Sequence, residues 1–237
     1  MDLKIKDVAE LLNVSETTIR RWLTDGKIPA YRINHQYRFD RMEIETWMMR
    51  CKLKSNLPHE TQIYPPVGPQ EEPATRGGMQ QFCFYRAIHQ GDVLSHIPGN
   101  TKEDIIRNTT RAIAPKLNVD AEVLAELLLD REMLMPTALN NGVAVPHTRD
   151  FLRKGPLDMV FVVFPQEPLD YGALDGKNVN VLFFLFASND KGHLQLLAKL
   201  AHLSTSPEAL EFLTQKPDKK HLLEFVRTWE AQVRHPS

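Results

Sequence analysis

One histidine stands in a setting well suited to chemistry. His147 closes the run of residues 141–147, NGVAVPH, so it follows a short apolar segment and a proline. A neutral imidazole is a nucleophile near pH 7, and the preceding proline restricts the backbone and so presents the ring. We therefore predict that His147 is an exposed nucleophile at the end of a strand. The alternative is a strand-end histidine that is hydrogen-bonded within a loop.

The wider segment around this histidine resembles a known phosphorylation site. Residues 131–149, REMLMPTALNNGVAVPHTR, are similar to the active segment of enzyme IIA domains of the bacterial phosphotransferase system, in the fructose, mannitol and nitrogen-related class. The resemblance implies that His147 accepts a phosphoryl group from the histidine phosphocarrier protein and passes it on. It also implies that Arg131 helps to hold the phosphate, a role that suits a planar guanidinium. The alternative for Arg131 is a surface residue that closes a helix.

Three further residues belong to the candidate site. His193 shares a helical face with Leu196, Leu197 and Leu200, which by itself indicates a core histidine. Its segment, however, resembles the enzyme IIA helix whose histidine lies beside the phosphorylated one. This implies that His193 orients His147 or donates a hydrogen bond to phosphate. Thr137 and Asn141 either bond phosphate oxygens or hold the loop by turn chemistry.

The first 52 residues show the order of elements of a small DNA-binding module. Helical spacing predicts one helix up to Leu12 and a second over residues 16–25, with Ser15 as its cap and Gly26 at its end. A hairpin with its turn at residues 34–35 and a last helix over 41–52 follow. This order resembles the winged helix-turn-helix domains of the excisionase and MerR-related class, over about residues 2–52.

That resemblance implies DNA contacts at six positions. Thr17, Arg20 and Arg21 would enter the major groove and set sequence preference. Phosphate or wing contacts would come from Lys27, Arg32 and Arg38. The alternative is a module of the same fold that makes only protein contacts. A module this small binds DNA weakly alone, so we expect a homodimer or several clustered sites.

Charge is distributed unevenly along the chain. The 237 residues carry a net charge of −1 and are 42% hydrophobic, which is typical of a globular protein. Residues 1–54 hold 11 Lys and Arg against 8 Asp and Glu, a charge of +3; the remainder holds 18 against 22, a charge of −4. A mildly basic head on an acidic body favours nucleic-acid contact at one end only.

Several classes of protein are not indicated. The sequence has no apolar run near the roughly 20 residues of a membrane helix and no signal-peptide core, so we expect a cytoplasmic protein. Cys51 and Cys83 are far apart and outside any ligand pattern. Neither a disulfide framework nor a metal site is therefore predicted, and no cofactor is implied.

Composition and periodicity predict three segments. Residues 1–54 form the winged helix-turn-helix domain, 55–81 a Pro- and Gly-rich linker, and 82–237 the enzyme IIA-like domain. In the last segment, helical spacing predicts helices over 101–116, 120–129, 191–203, 207–213 and 221–229. Apolar runs predict strands over 143–145, 159–164 and 179–187. The expected fold class is α/β, with a mixed β-sheet flanked by helices and His147 at the mouth of a crevice.

These patterns favour a cytoplasmic regulator of the phosphotransferase system, phosphorylated on His147 and able to couple this to DNA binding. Such a protein is a phosphoryl carrier rather than an enzyme that turns over a small molecule. Its expected partners are a phosphocarrier protein, DNA and a IIB or regulatory protein. One alternative is a carrier that feeds a separate IIB/IIC sugar permease. Another is a DNA-binding protein that uses an unphosphorylated IIA-like domain for oligomerisation.

Overall fold

The computed structural model describes residues 3–12, 14–33, 36–54, 82–148, 157–173 and 175–232. The chain separates into two compact units, Met1–Thr75 and Arg76–Ser237. The predicted linker over 55–81 and the wing turn at 34–35 lie outside the described residues. Within the described ranges, no helix combines the length and the apolar character needed to cross a lipid bilayer.

The N-terminal unit begins with two short helices joined by a turn. Helix α1 spans Ile5–Leu12 and helix α2 spans Glu16–Thr24. The Ser15 hydroxyl caps α2 by accepting a hydrogen bond from the Thr18 N–H at 3.1 Å. Beyond the helix, Gly26 takes a left-handed φ of +63°, which glycine adopts without strain. The predicted helix-turn-helix pair is therefore present.

A hairpin and a closing helix complete this unit. Strand β1 (Tyr31–Ile33) pairs antiparallel with β2 (Gln36–Arg38), and α3 spans Arg41–Lys54. Apolar side chains from all these parts meet in one small core, built on Val8, Ala9, Ile19, Ile28, Phe39 and Ile44. Because α2 buries Ile19 in this core, its opposite side faces solvent.

The C-terminal unit alternates helices and strands. Its helices are α4 (Cys83–Gln90), α5 (Lys102–Leu117), α6 (Ala121–Leu134), α7 (Asp190–Leu203), α8 (Pro207–Thr214) and α9 (Lys219–Gln232). Its strands are β3 (Val93–Ile97), β4 (Val143–Ala144), β5 (Met159–Pro165) and β6 (Val181–Phe186). The predicted α/β class is confirmed.

The sheet has the strand order β3-β5-β6-β4. Strands β3 and β5 are parallel, β5 and β6 antiparallel, and β6 and β4 parallel, so the sheet is mixed as predicted. Every residue of β5 and β6 is buried, as expected for apolar runs that are covered on both faces. Strand β4 lies at one edge, and the chain that leaves it runs beside β6.

The sequence prediction missed two elements and made α6 and α9 too short. Helix α4 has only eight residues, and Phe82, the residue before it, makes no side-chain cap bond, so its start has no sequence signal. Strand β3 has no fully buried residue and therefore lacks the apolar run of a central strand. Helix α6 continues to Leu134, beyond the predicted end at Leu129, and so places Arg131 within a helix.

Candidate functional site

His147 follows β4 at the edge of the sheet. The parallel pairing with β6 continues past the strand: the Leu185 N–H donates to Pro146 O at 2.9 Å, and His147 forms a parallel bridge with Leu185. Pro146 has no N–H to donate, but its carbonyl still joins the ladder. The backbone of His147 is thus held by β6 and by its own strand.

The His147 ring has a defined tautomer. Its Nδ1 lies 2.8 Å from Val145 O. A carbonyl oxygen can only accept a hydrogen bond, so Nδ1 carries a proton and donates it. In the neutral ring the lone pair then resides on Nε2, which makes Nε2 the nucleophilic atom.

The structure brings the two predicted histidines together. His193 lies in the first turn of α7, where Asn189 caps the helix by accepting the Gly192 N–H at 2.9 Å. The His193 N–H donates to Asn189 O at 3.0 Å. The rings of His193 and His147 have centroids 5.1 Å apart and planes inclined at 62°. An edge-on imidazole at this distance is suited to orient a partner ring or to bond a group placed on it.

Both rings are buried, which corrects the prediction that His147 is exposed. His147 is 1% exposed and His193 is 3% exposed. The His147 ring contacts Val145 O of its own strand through Nδ1 and packs against the His193 ring. A phosphoryl donor therefore has to gain access to the buried Nε2 atom of His147.

Arg131 occupies the last turn of α6 and is 4% exposed. Its Nη1 donates to Met135 O at 3.0 Å and so holds the chain that leaves the helix. This burial does not fit the alternative of a surface arginine. Its role in holding phosphate stays a prediction.

Thr137 and Asn141 both hold the site loop. The Thr137 N–H donates to Glu132 Oε2 at 3.1 Å, and its hydroxyl donates to Glu132 Oε1. The Asn141 amide donates to Ser204 O at 3.0 Å and accepts from Lys177 Nζ at 3.0 Å. These contacts favour the loop-holding interpretation for both residues, and phosphate bonding by either one stays a prediction.

Sequence reasoning passed over a buried acid beside this loop. Glu132 is 4% exposed, and the Lys102 Nζ lies 3.4 Å from its Oε2. The same Nζ lies 4.7 Å from the centroid of the Tyr171 ring. Burial, and then the negative charge of Glu132, raises the pKa of Tyr171 well above its usual value. A lone acid in a helix usually indicates a solvated face, so the sequence carried no signal for this cluster.

An aspartate fixes the start of α7, next to His193. Asp158 Oδ1 accepts hydrogen bonds from the N–H and the hydroxyl of Ser188, each at 2.8 Å. A Cβ added to Gly192 would lie 2.6 Å from Asp158 Oδ2. Only glycine therefore allows the carboxylate to approach the helix so closely. Sequence reasoning missed Asp158, because the contact joins segments about thirty residues apart.

The residues predicted to read DNA lie on the solvent side of α2. Thr17, Arg20 and Arg21 are all exposed, and their spacing of three and four residues places them on one side of the helix. Arg20 Nη2 lies 3.6 Å from Glu16 Oε2. Such an exposed pair contributes little to stability, so Arg20 can exchange it for a phosphate or a base edge at small cost.

The predicted phosphate and wing residues are arranged around the hairpin. Lys27 Nζ lies 3.0 Å from Asp25 Oδ2. The Arg32 guanidinium lies 4.8 Å from the centroid of the Tyr37 ring, and Arg38 Nη1 donates to Tyr37 O at 3.1 Å. Each cation thus has a contact within the domain that a nucleic acid would share or replace.

Two parts of the chain match known families. Residues 88–228 match the family described as phosphoenolpyruvate-dependent sugar phosphotransferase system, EIIA 2. This range contains His147, His193 and Arg131. Residues 3–52 match a helix-turn-helix domain. The predicted combination of an enzyme IIA domain with an N-terminal helix-turn-helix domain is confirmed.

Individual relatives agree with these matches. The nitrogen regulatory protein of Pseudomonas aeruginosa is 30% identical over 139 residues, which are 57% of this chain and 89% of that protein. The transcriptional repressor DcmR of Methylorubrum extorquens is 56% identical over 34 residues, 14% of this chain and 13% of that protein. The solved structure of nitrogen regulatory protein IIA-Ntr from Neisseria meningitidis has a TM-score of 0.54 at 23% identity. It covers 60% of this chain and 98% of that chain, and so supports the fold.

Proposed function

The chain belongs to the phosphoenolpyruvate-dependent sugar phosphotransferase system EIIA 2 family, and from that premise we propose that it is a regulator that couples phosphorylation of His147 to DNA binding. A histidine phosphocarrier protein donates the phosphoryl group. The helix-turn-helix domain binds DNA, and the phosphorylation state of the IIA domain alters that binding. We place the protein in the cytoplasm, where both partners are found.

The hydrogen bond from His147 Nδ1 to Val145 O carries this proposal. It leaves the lone pair on Nε2, which attacks the phosphorus of the donor phosphohistidine in line with the bond that breaks. A new Nε2–P bond forms as the donor N–P bond breaks, and the donor imidazole keeps the electron pair of that bond. The proton stays on Nδ1, where it is hydrogen-bonded to Val145 O, so no proton has to leave the ring.

The charge on the product needs partners. A phosphoryl group brings roughly two negative charges and several strong hydrogen-bond acceptors. His193, whose ring lies 5.1 Å from that of His147, is proposed to orient the acceptor ring and to donate to a phosphate oxygen. Arg131 is proposed to neutralise charge, as its planar guanidinium allows. The added charge then changes how a neighbouring surface or partner docks, which is the proposed link to DNA binding.

Incubation with phosphoenolpyruvate, enzyme I and the phosphocarrier protein tests the proposal. We expect a mass increase of one phosphate in the wild type and in His221→Ala, which removes an exposed histidine, and none in His147→Ala. DNA binding of the phosphorylated and unphosphorylated proteins is then compared, and the two affinities are expected to differ.

Two results would contradict the proposal. If the wild type stays unmodified while it binds DNA, the IIA domain serves a purpose other than phosphorylation. If the phosphoryl group moves on to a separate IIB protein and DNA binding is the same in both forms, the chain is a carrier for a permease.

A further inference from the structure

A chain of hydrogen bonds leads from a buried carboxylate to the His147 ring. Glu132 accepts the N–H and the hydroxyl of Thr137. Thr137 O accepts the Val145 N–H at 3.0 Å, and Val145 O accepts from His147 Nδ1 at 2.8 Å. Each of these four residues is at most 4% exposed. The path therefore runs through the interior of the unit from α6 to the candidate phosphoryl acceptor.

We propose that Glu132 is a positioning residue that sets the tautomer of His147. This inference rests on the proposed function, since it names what keeps the lone pair on Nε2, the atom that would receive phosphate. Glu132 acts through Thr137 and Val145 and does not itself touch the transferred group.

The segment that Glu132 holds is also bound by Arg131, through Met135 O, and by the chain of β4. Thr137 follows Pro136, which has no N–H, and the segment pairs with the chain of β4 through the Ala138–Ala144 bridge. One carboxylate binds both the backbone and the side chain of Thr137, so it fixes the direction of the Thr137 carbonyl. Loss of this acceptor would leave a buried N–H unpaired, which is unfavourable. We expect the segment to shift instead, and Val145 O with it.

Lys102 pairs with the Glu132 carboxylate. Its ammonium lies 3.4 Å from Glu132 Oε2, and the Tyr171 ring lies on its other side at 4.7 Å. The two carboxylate oxygens accept from the N–H and the hydroxyl of Thr137, one each.

Glu230 offers a matched control. It is 2% exposed, accepts the N–H groups of Phe84 and Tyr85 at 3.1 and 2.8 Å, and pairs with Lys199. It thus resembles Glu132 in burial, in its two donors and in its lysine partner. Its hydrogen bonds fix the start of α4 and do not lead to Val145.

Nitrogen-15 NMR of the histidine rings in the unphosphorylated full chain tests the inference. In the wild type and in Glu230→Ala, we expect His147 to show the single tautomer protonated on Nδ1. In Glu132→Ala, we expect a mixture of both tautomers and a phosphorylation rate roughly tenfold lower, the scale typical of groups that orient a functional histidine. Glu132→Gln supplies one acceptor and one donor to Thr137, so it should restore the single tautomer.

The result that would overturn the inference is a pure Nδ1–H tautomer in Glu132→Ala, or an equal mixture in Glu230→Ala. If Glu132→Ala does not fold, Thr137→Val, which lacks only the hydroxyl contact, has to show the mixture, and Thr137→Ser has to abolish it. Because the tautomer is read without phosphate, a wild type that is never phosphorylated would refute the proposed function and leave this test intact.

Discussion

At the scale of single residues, the proposed phosphoryl transfer depends on how the imidazole of His147 is held. His147 donates from Nδ1 to a carbonyl two residues back, and its neighbour His193 lies with its ring centroid 5.1 Å away. Neither contact depends on an exposed ring. The main chain instead orients the ring, because the carbonyl of Val145 accepts from Nδ1 and leaves the lone pair of the neutral ring on Nε2.

Gly192→Ala tests whether the start of α7 has to stay in place for His193 to act. The new methyl group would lie 2.6 Å from Asp158 Oδ2, so either the carboxylate or the first turn of the helix must move. We expect a phosphorylation rate several-fold lower and about 1–3 kcal/mol of lost stability. Lys191→Ala, at the exposed neighbouring position, should change neither quantity. Wild-type kinetics in Gly192→Ala would show that the helix start tolerates movement.

Gly91→Ala tests how closely α4 approaches the sheet. A Cβ at this position would lie 1.9 Å from Val160 O, a backbone atom of β5 that has little room to move. We expect a loss near the upper end of overpacking costs, about 3 kcal/mol, in urea unfolding. Gly176→Ala is the matched control, since its Cβ meets nothing within 4 Å and only its φ of +67° is strained. Equal losses in the two variants would contradict the close approach.

At the scale of elements, the site is assembled where α6, β4, β6 and α7 end or begin. Helix α6 delivers Arg131 and Glu132 in its last turn, and the segment after it returns to pair with β4. Strand β6 holds the chain beyond β4. Helix α7 contributes His193 from its first turn. Helix caps are therefore part of the site architecture, because they fix where each helix stops or starts.

Thr101→Ala tests the cap of α5, the helix that carries Lys102. The Thr101 hydroxyl accepts the Asp104 N–H at 3.1 Å, and Asp104 Oδ2 accepts the Thr101 N–H at 3.1 Å. We expect a loss of about 1 kcal/mol in the free energy of unfolding. Thr228→Ala, at an exposed position in α9, should cost less. A loss near zero for Thr101→Ala would contradict a working capping box.

The same cap makes a prediction about pH. The Thr101 hydroxyl, with the N–H groups of Asn100 and Thr101, lowers the pKa of Asp104 although burial opposes this. A carboxyl whose pKa is lower in the folded state stabilises the fold above its ordinary pKa and loses that contribution as pH falls through the folded value. Between pH 5 and pH 2, the free energy of unfolding should therefore fall less in Asp104→Asn than in the wild type. The same loss in both proteins would contradict this role.

At the scale of the whole molecule, an enzyme IIA domain and a helix-turn-helix domain share one chain. The exposed face of α2 presents Thr17, Arg20 and Arg21, while the buried histidine pair lies in the IIA domain. The proposed regulation requires that phosphorylation of the IIA domain changes DNA binding by the helix-turn-helix domain. Solution measurements test this coupling.

Arg20→Ala tests the DNA-binding face. Loss of one cation from a phosphate contact should weaken binding at all salt concentrations and reduce the slope of log K against log salt by about 1. A base contact would instead relax sequence preference at one position. Arg227→Ala, exposed on α9 of the other unit, serves as the control. Equal binding by Arg20→Ala and the wild type would place the nucleic-acid surface elsewhere.

Local patterns predicted much of this structure, and long-range contacts account for what they missed. Caps such as Ser15 and Asp120 are visible in sequence because they act on the next few residues. The buried strands are visible as apolar runs. The role of Glu132 and the approach of Asp158 to Gly192 are set by tertiary packing, which periodicity does not encode. His147 was predicted to be exposed and is buried, and the prediction was wrong for the same reason.

The position of the phosphoryl group on the phosphorylated protein is the most direct test of the central claim. Phosphorus-31 and nitrogen-15 NMR, after reaction with phosphoenolpyruvate, enzyme I and the phosphocarrier protein, identifies the nitrogen that bears phosphorus. The tautomer inferred from the contact of Nδ1 with Val145 O predicts one phosphohistidine, at Nε2 of His147. Phosphorus on Nδ1, on another histidine or on none would contradict it.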